Sequence, residues 1–253
     1  KLGAGWGAQI ILFLTICWKT NPVKRPFAAK MRTILQVILI SLSCVTVSAI
    51  FTRKTFRLQV TEDVWIERPT TNYNHYPWLL LGTHRGFPLK RSLMKFQNIP
   101  CECTLPCKAT LHLYFVYAHK ASFMSTTQVP AIKRYVVAHT VRKYWRESQA
   151  TTTKRYNGAN WSQAWLNLGA DAKFASSPAT EVSPSPGHKW YTVDVTEQAI
   201  DWKFGSNYGL LLRDTRERVL GRDFRFASNA YKDKTKHAYI ILKCWARSTP
   251  VRI

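Results

Sequence analysis

Over residues 108–120 apolar and polar side chains alternate: Ala109, Leu111, Leu113, Phe115 and Tyr117 fall on one side, Thr110, His112 and Tyr114 on the other. Successive side chains of an extended chain point to opposite faces, so a period of two predicts a strand with one buried face. The same behaviour returns over residues 132–141, 190–195, 208–212, 224–227 and 238–245, separated by clusters of Gly, Pro, Asn and Ser. Many short strands at modest spacing predict an all-β sandwich or barrel. Residues 196–204 depart from the rule. Thr196 is placed to cap a first turn, Glu197 faces its positive end, Ile200 lies four residues before Phe204, and Gly205 stops the run, which predicts one short helix. Residues 175–188, with Pro178, Pro184, Pro186 and Gly187, read as a loop.

Charge and the amino-terminal stretch bound the setting. Lys and Arg number 37 against 14 Asp and Glu, a formal charge of +23, while 46% of residues are apolar. That mixture fits a packed domain rather than a disordered basic tail. Met31, flanked by Lys30 and Arg32, is followed by the apolar run Ile34 to Leu42 and by Val47-Ser48-Ala49. A basic start, an apolar centre and small residues form the pattern of a secretory signal peptide, with cleavage expected after Ala49. Residues 1–30 are then expected to be translated leader, 31–49 the signal peptide and 50–253 a single domain. The competing reading keeps residues 34–51 as a membrane anchor, near the lower limit of the roughly 20 residues a spanning helix needs. Ser41, Ser43, Thr46 and Ser48 speak against it.

Removing residues 1–49 takes away six basic residues and no acid, which leaves 31 cations against 14 anions, or +17. It also leaves Cys101, Cys103, Cys107 and Cys244. In an oxidising compartment this even number predicts two disulfides. A bridge between residues two apart is strained, so the expectation is one short bridge to Cys107 and one long bridge to Cys244, with Cys101 and Cys103 as the other partners. Four thiolates could alternatively hold zinc, a reading that export disfavours. The sequon Asn160-Trp161-Ser162 marks Asn160 as a glycosylation site in an exported chain.

Several short words follow one another in order: Glu62-Asp63-Val64-Trp65-Ile66, Asn72-Tyr73-Asn74, Trp78-Leu79-Leu80-Leu81-Gly82, Arg91 to Phe96, Ala109 to Tyr114, Trp145-Arg146-Glu147, Trp165, Gly169-Ala170-Asp171, Val193 to Thr196, Trp202, Asn207 to Leu210 and Phe226-Ala227-Ser228. This order resembles the DNRLRE family, also described as carbohydrate-binding module family 96, from about Thr61 to Leu242. The resemblance implies a secreted or surface-bound β-sandwich of the jelly-roll kind, often attached to enzymes acting on acidic polysaccharides. Ala170 stands where the family usually has a second glycine, and the four cysteines are not a general family feature. Within this frame Trp65, Trp78, Trp145, Trp190 and Trp202 are expected in the core, and Asp194 in a turn and cap.

No nucleophile elbow, zinc-protease helix, phosphate-cradling loop or dinucleotide fingerprint is present. The expected activity is therefore binding without catalysis. Cations and aromatic rings interleave from Lys154-Arg155-Tyr156 to Trp161 and Trp165, and again from Arg222 to Tyr231-Lys232. Guanidinium groups take carboxylate or sulfate through paired hydrogen bonds, and rings cover the apolar faces of sugars. The candidate ligand-binding residues are Arg155, Trp161, Trp165, Arg213, Arg222 and Arg225. The expected partner is an anionic polysaccharide or other acidic extracellular polymer. Nucleic acid is the poorer match because the chain is read as exported, and no stable membrane insertion is expected after signal cleavage. No cofactor is called for, and room is left for a structural calcium ion. The alternatives are a structural component of an extracellular or skeletal organic matrix, and a polysaccharide lyase or hydrolase.

Overall fold

The computed structural model describes residues 51–83, 89–119, 132–219 and 222–247. The expectations for residues 1–49 fall outside the described residues. Among the described residues twelve strands are formed: β1 (Phe51–Ile66), β2 (Trp78–Leu81), β3 (Arg91–Phe96), β4 (Cys103–His119), β5 (Arg134–Thr140), β6 (Lys154–Tyr156), β7 (Ala159–Asn160), β8 (Thr180–Val182), β9 (Lys189–Asp194), β10 (Leu210–Asp214), β11 (Asp223–Ala227) and β12 (Tyr239–Arg247). One α-helix, α1 (Thr196–Phe204), and a 3-10 turn (Lys234–Lys236) complete the described elements. Every pair of named strands is antiparallel, and the domain is the expected all-β sandwich with one short helix.

Two sheets share one strand. In the first, β4 pairs with β9 along one edge. Its other edge is taken by β12, and farther along by β11. Beyond these lie β1 and β2. The second sheet runs β1, β3, β10, β5, β8. β1 reaches both sheets, pairing with β12 over Phe51–Gln59 and with β3 over Val60–Ile66, with a shift of register at Val60 and Glu62. Such a bulge adds twist and bends the strand, which lets one strand cross between layers.

The core lies between the sheets. Leu111, Leu113, Phe115, Phe224, Phe226, Ile240 and Leu242 of the first meet Met94, Phe96, Val136, Ala138, Leu210 and Leu212 of the second. Each side chain of this size taken out of water stabilises the fold by roughly 1.5 to 3 kcal/mol. A second cluster sits on the other side of the second sheet, where Leu93 and Leu211 are covered by Trp145, Trp161, Leu166 and Ala172 from an irregular segment. Gly209, at φ +85°, fits where any Cβ would collide with the Met94 carbonyl oxygen.

Three local expectations are corrected. Tyr117 does not share the core face with Phe115: a bulge opposite Arg225 and Phe226 turns it outward, where it meets Trp78. The presumed loop at 175–188 contains β8, which pairs with β5. In α1 the first turn is held by Asp194, whose Oδ1 accepts the Thr196 amide at 2.9 Å, while the Thr196 hydroxyl accepts the Ala109 amide at 3.0 Å. Ile200 and Phe204 face solvent, and Ala199 and Trp202 carry the helix into the core.

Candidate functional site

The outer face of the first sheet is built by the same alternation that fills the core. Because Leu111 and Leu113 point inward, His112 and Tyr114 point outward from β4. Because Ile240 and Leu242 point inward, Tyr239, Lys243 and Trp245 point outward from β12. Arg53 and Arg57 join them from β1, and Trp190 from β9. The rings and cations on this face touch. Arg57 lies over Tyr239 with its guanidinium carbon 3.7 Å from the ring centre. Tyr239 stacks on His112 at 4.6 Å and 8°. Trp190 meets Tyr239 and Tyr114 edge-on at 5.4 and 5.3 Å. Arg53 covers Trp245 at 4.9 Å, and Lys236 covers Tyr114 at 4.7 Å. Farther along β4, Arg225 sits 4.4 Å from the Trp78 ring and donates to the Tyr117 hydroxyl at 2.6 Å.

Electrostatics sharpen the picture. Lys108 and Lys243 are directly opposite each other in the β4–β12 ladder, both exposed. Like charges in that register destabilise a sheet, so the fold itself gains nothing from the pair. The carboxylate at the end of this face, Asp194, is already tied to the Thr196 amide. Partial burial, reinforced by Arg57, lowers the His112 pKa from its usual 6.5. Guanidinium groups clamped on aromatic faces lose less side-chain freedom when they take an anion.

The residues nominated from sequence do not form one site. Arg225 lies on the ring-and-cation face. Trp161 is only 4% exposed, and its indole nitrogen donates to the Thr151 carbonyl at 3.0 Å. It is core, not a sugar platform, because the interleaving of rings and cations along the chain does not say which side each one takes. Trp165 is half-buried against the same cluster, in a left-handed conformation, and its carbonyl accepts from Arg91. Arg213 stands beside Glu217 at 3.8 Å, and burial lowers its pKa. Arg222 is half-buried, and its carbonyl accepts from Arg134 at 3.3 Å. Arg155 belongs to another surface, described below. Asn160 is exposed in β7, and the Ser162 hydroxyl of its sequon donates to Asp171 at 2.6 Å. Burial acts to raise the Asp171 pKa, but Lys143, Ser162 and the Asn167 amide outweigh it and hold the carboxyl at about 2.

Of the tryptophans expected in the core, Trp65, Trp145 and Trp202 are buried, whereas Trp78 and Trp190 are half-exposed on the ring face. Sequence reading missed Arg57, His112, Trp190 and Tyr239. Their signal was the polar half of each alternating strand.

The expected bridges are not formed: Cys101, Cys103, Cys107 and Cys244 are all free thiols. Cys101 and Cys107 are exposed, while Cys103 and Cys244 are buried and face each other with sulfurs 2.6 Å apart. Burial and the contact with Cys103 push the Cys244 thiol up to about 12. Among the described residues no three His, Cys, Asp or Glu side chains converge as a metal site, and no helix is long and apolar enough to cross a membrane.

Burial raises Asp63 to about 8; the Asn229 amide, donating at 2.8 Å, opposes this, and Glu147 adds to it. Glu147 in turn accepts from the Asp63 amide and the Asn229 side chain. The pair anchors the segment after β11 rather than lining an opening. Comparison of the chain with family models finds no match, and comparison with curated proteins finds none either.

Proposed function

We propose that the protein is a secreted, non-catalytic module that binds an anionic polysaccharide or similar acidic polymer across the outer face of its first sheet. The observation that carries this reading is the exposed Lys108–Lys243 pair set among Arg53, Arg57, Lys236 and Arg225. A polymer bearing carboxylate or sulfate relieves that repulsion, and the rings underneath hold the guanidinium forks ready for it. The ordered words that resemble the DNRLRE family agree with a polysaccharide ligand.

One feature favours a second reading. Tyr239 is stacked on His112 and covered by Arg57, so a ring that could receive a sugar already holds cations. Recognition would then rest on charge more than on sugar identity, as in a structural component of an extracellular or skeletal organic matrix. A glycan array of sulfated, carboxylated and neutral polysaccharides, run at low and high salt, tests both. Selective binding that survives salt favours the module. Binding to every polyanion that fades with salt favours the matrix component. Equal binding to neutral glycans overturns both.

A further inference from the structure

Behind the second sheet, the irregular segment that covers Leu93 and Leu211 carries its own rings and cations. Tyr144 lies 5.8 Å from Tyr156 and 6.3 Å from Tyr208, in edge contacts. Tyr144 is 44% exposed. Arg155 covers Tyr156 at 5.2 Å and is fixed by two carbonyls, donating to Asn160 at 3.0 Å and to Tyr144 at 3.1 Å. Arg146, exposed, stands over the same ring at 5.9 Å. Lys95 supports Tyr144 from below at 4.8 Å. Tyr208 also borders an open cleft of about 420 Å³ with Thr140, Arg142, Lys173, Asp201 and Ser206.

The cleft separates its cations into two kinds. Lys173 is neutralised by Asp201 at 3.0 Å and Glu197 at 2.9 Å. The Arg142 guanidinium donates to the Gly169 carbonyl at 2.6 Å, and Arg142, Arg146 and Arg155 have no carboxylate partner among the described residues. Met94 and Phe96 point into the core, so Leu93 and Lys95 point the other way, and the tyrosines lie beyond them. Sheets pack about 10 Å apart, so the whole thickness of the sandwich separates this surface from Tyr239 and Trp190.

We infer that the domain is bivalent: Tyr144, Tyr156, Arg142, Arg146 and Arg155 form a second polyanion surface, so that one molecule bridges two polymer chains. The inference rests on the proposed binding function and adds its geometry. A short oligosaccharide cannot span both surfaces, so each binds its own, whereas long chains are cross-linked.

The test uses the full chain with a sulfated tetrasaccharide and with a long sulfated polysaccharide. Calorimetry is expected to give two tetrasaccharides per protein. Light scattering with the long chain is expected to rise and then fall as polymer is added, since excess polymer leaves each molecule with one chain. The variant Tyr144→Ala/Arg146→Gln is expected to bind one tetrasaccharide and to lose the scattering maximum. Arg142→Gln, an exposed single change, is expected to lower scattering at least threefold and guards against misfolding of the double variant. One tetrasaccharide per wild-type molecule, with no scattering, overturns bivalency and leaves the binding function standing. Absence of any binding overturns both.

Discussion

On the outer face of the first sheet Lys108 and Lys243 stand opposite each other with no carboxylate partner among the described residues, whereas the buried cations of the second sheet, Arg134, Arg91 and Lys95, are paired. Arg134 and Asp214, both fully buried, meet at 2.8 Å. Arg91 binds Glu217 at 2.5 Å, and Lys95 binds Glu62 at 2.9 Å. Burying an unpaired charge is costly, so the paired cations are the ones the fold had to neutralise. The unpaired ones remain in water at little cost and are free to meet something else. In a chain with a charge of +23, this separates structural from available cations better than any count of charge along the sequence.

The largest effect is expected at the thiols, which lie in the first sheet where the second sheet uses ion pairs. A small-molecule disulfide in excess should join Cys103 to Cys244, taking two electrons from the thiols and releasing two reduced small thiols. In the chain-entropy model a bridge closing more than 100 residues adds about 4 to 5 kcal/mol. Urea unfolding before and after oxidation, with Cys244→Ser as control, measures it. Peptide mapping that finds both thiols free after oxidation rules the bridge out.

Nearly as large is the loss expected for Arg134→Ala, about 3 to 5 kcal/mol, because Asp214 is left buried without its partner. The Arg134 guanidinium also donates to the carbonyls of Val219, Thr83 and Arg222. Gly82, at φ +107°, leaves the space the guanidinium needs. If Arg134→Ala costs under 1 kcal/mol in urea unfolding, pairing does not distinguish the two sheets.

These contrasts were only partly legible in the sequence. Period two placed β4, β5, β9, β10, β11 and β12 because each strand buries one face, so burial itself writes the pattern. The helix was legible in its ends, Glu197 in the first turn and Gly205 at the stop, whereas the spacing of Ile200 and Phe204 marked the exposed side and not the buried one. The ring-and-cation face stayed hidden for a related reason. Its residues come from β1, β12, β4 and β9, and only the register brings Arg57, Tyr239, His112 and Trp190 together. Neighbours in sequence gave Trp161, which the fold turns inward. Resolving which of Cys101 and Cys103 faces Cys244 likewise needed the register.

A substitution that moves stability and binding in opposite directions would sharpen the comparison most. Lys243→Gln removes the repulsion with Lys108 and is expected to stabilise the domain by about 0.2 to 1 kcal/mol. The same change is expected to weaken polysaccharide binding severalfold. A Lys243→Gln protein that is less stable in urea, or binds the polymer as tightly, would show that the exposed pair belongs to the fold after all.

The smallest expected effect is a pH dependence centred on His112. Burial and Arg57 lower its folded pKa below the 6.5 of the free imidazole, so the unfolded chain takes up the proton first. Stability from this group is therefore full above about pH 6.5 and drains as pH falls towards the folded value. His112→Gln should lack that decline, which urea midpoints between pH 7.5 and 5 would reveal as a gap between the two proteins that opens as the pH falls. Binding should run the other way. A polyanion on the face favours the imidazolium between Tyr239 and Trp190, so affinity for a sulfated polysaccharide should rise on acidification in the wild type and less in His112→Gln. Parallel pH profiles of affinity would place His112 outside the interface and confine the polymer to the Arg53 and Lys243 side of the sheet.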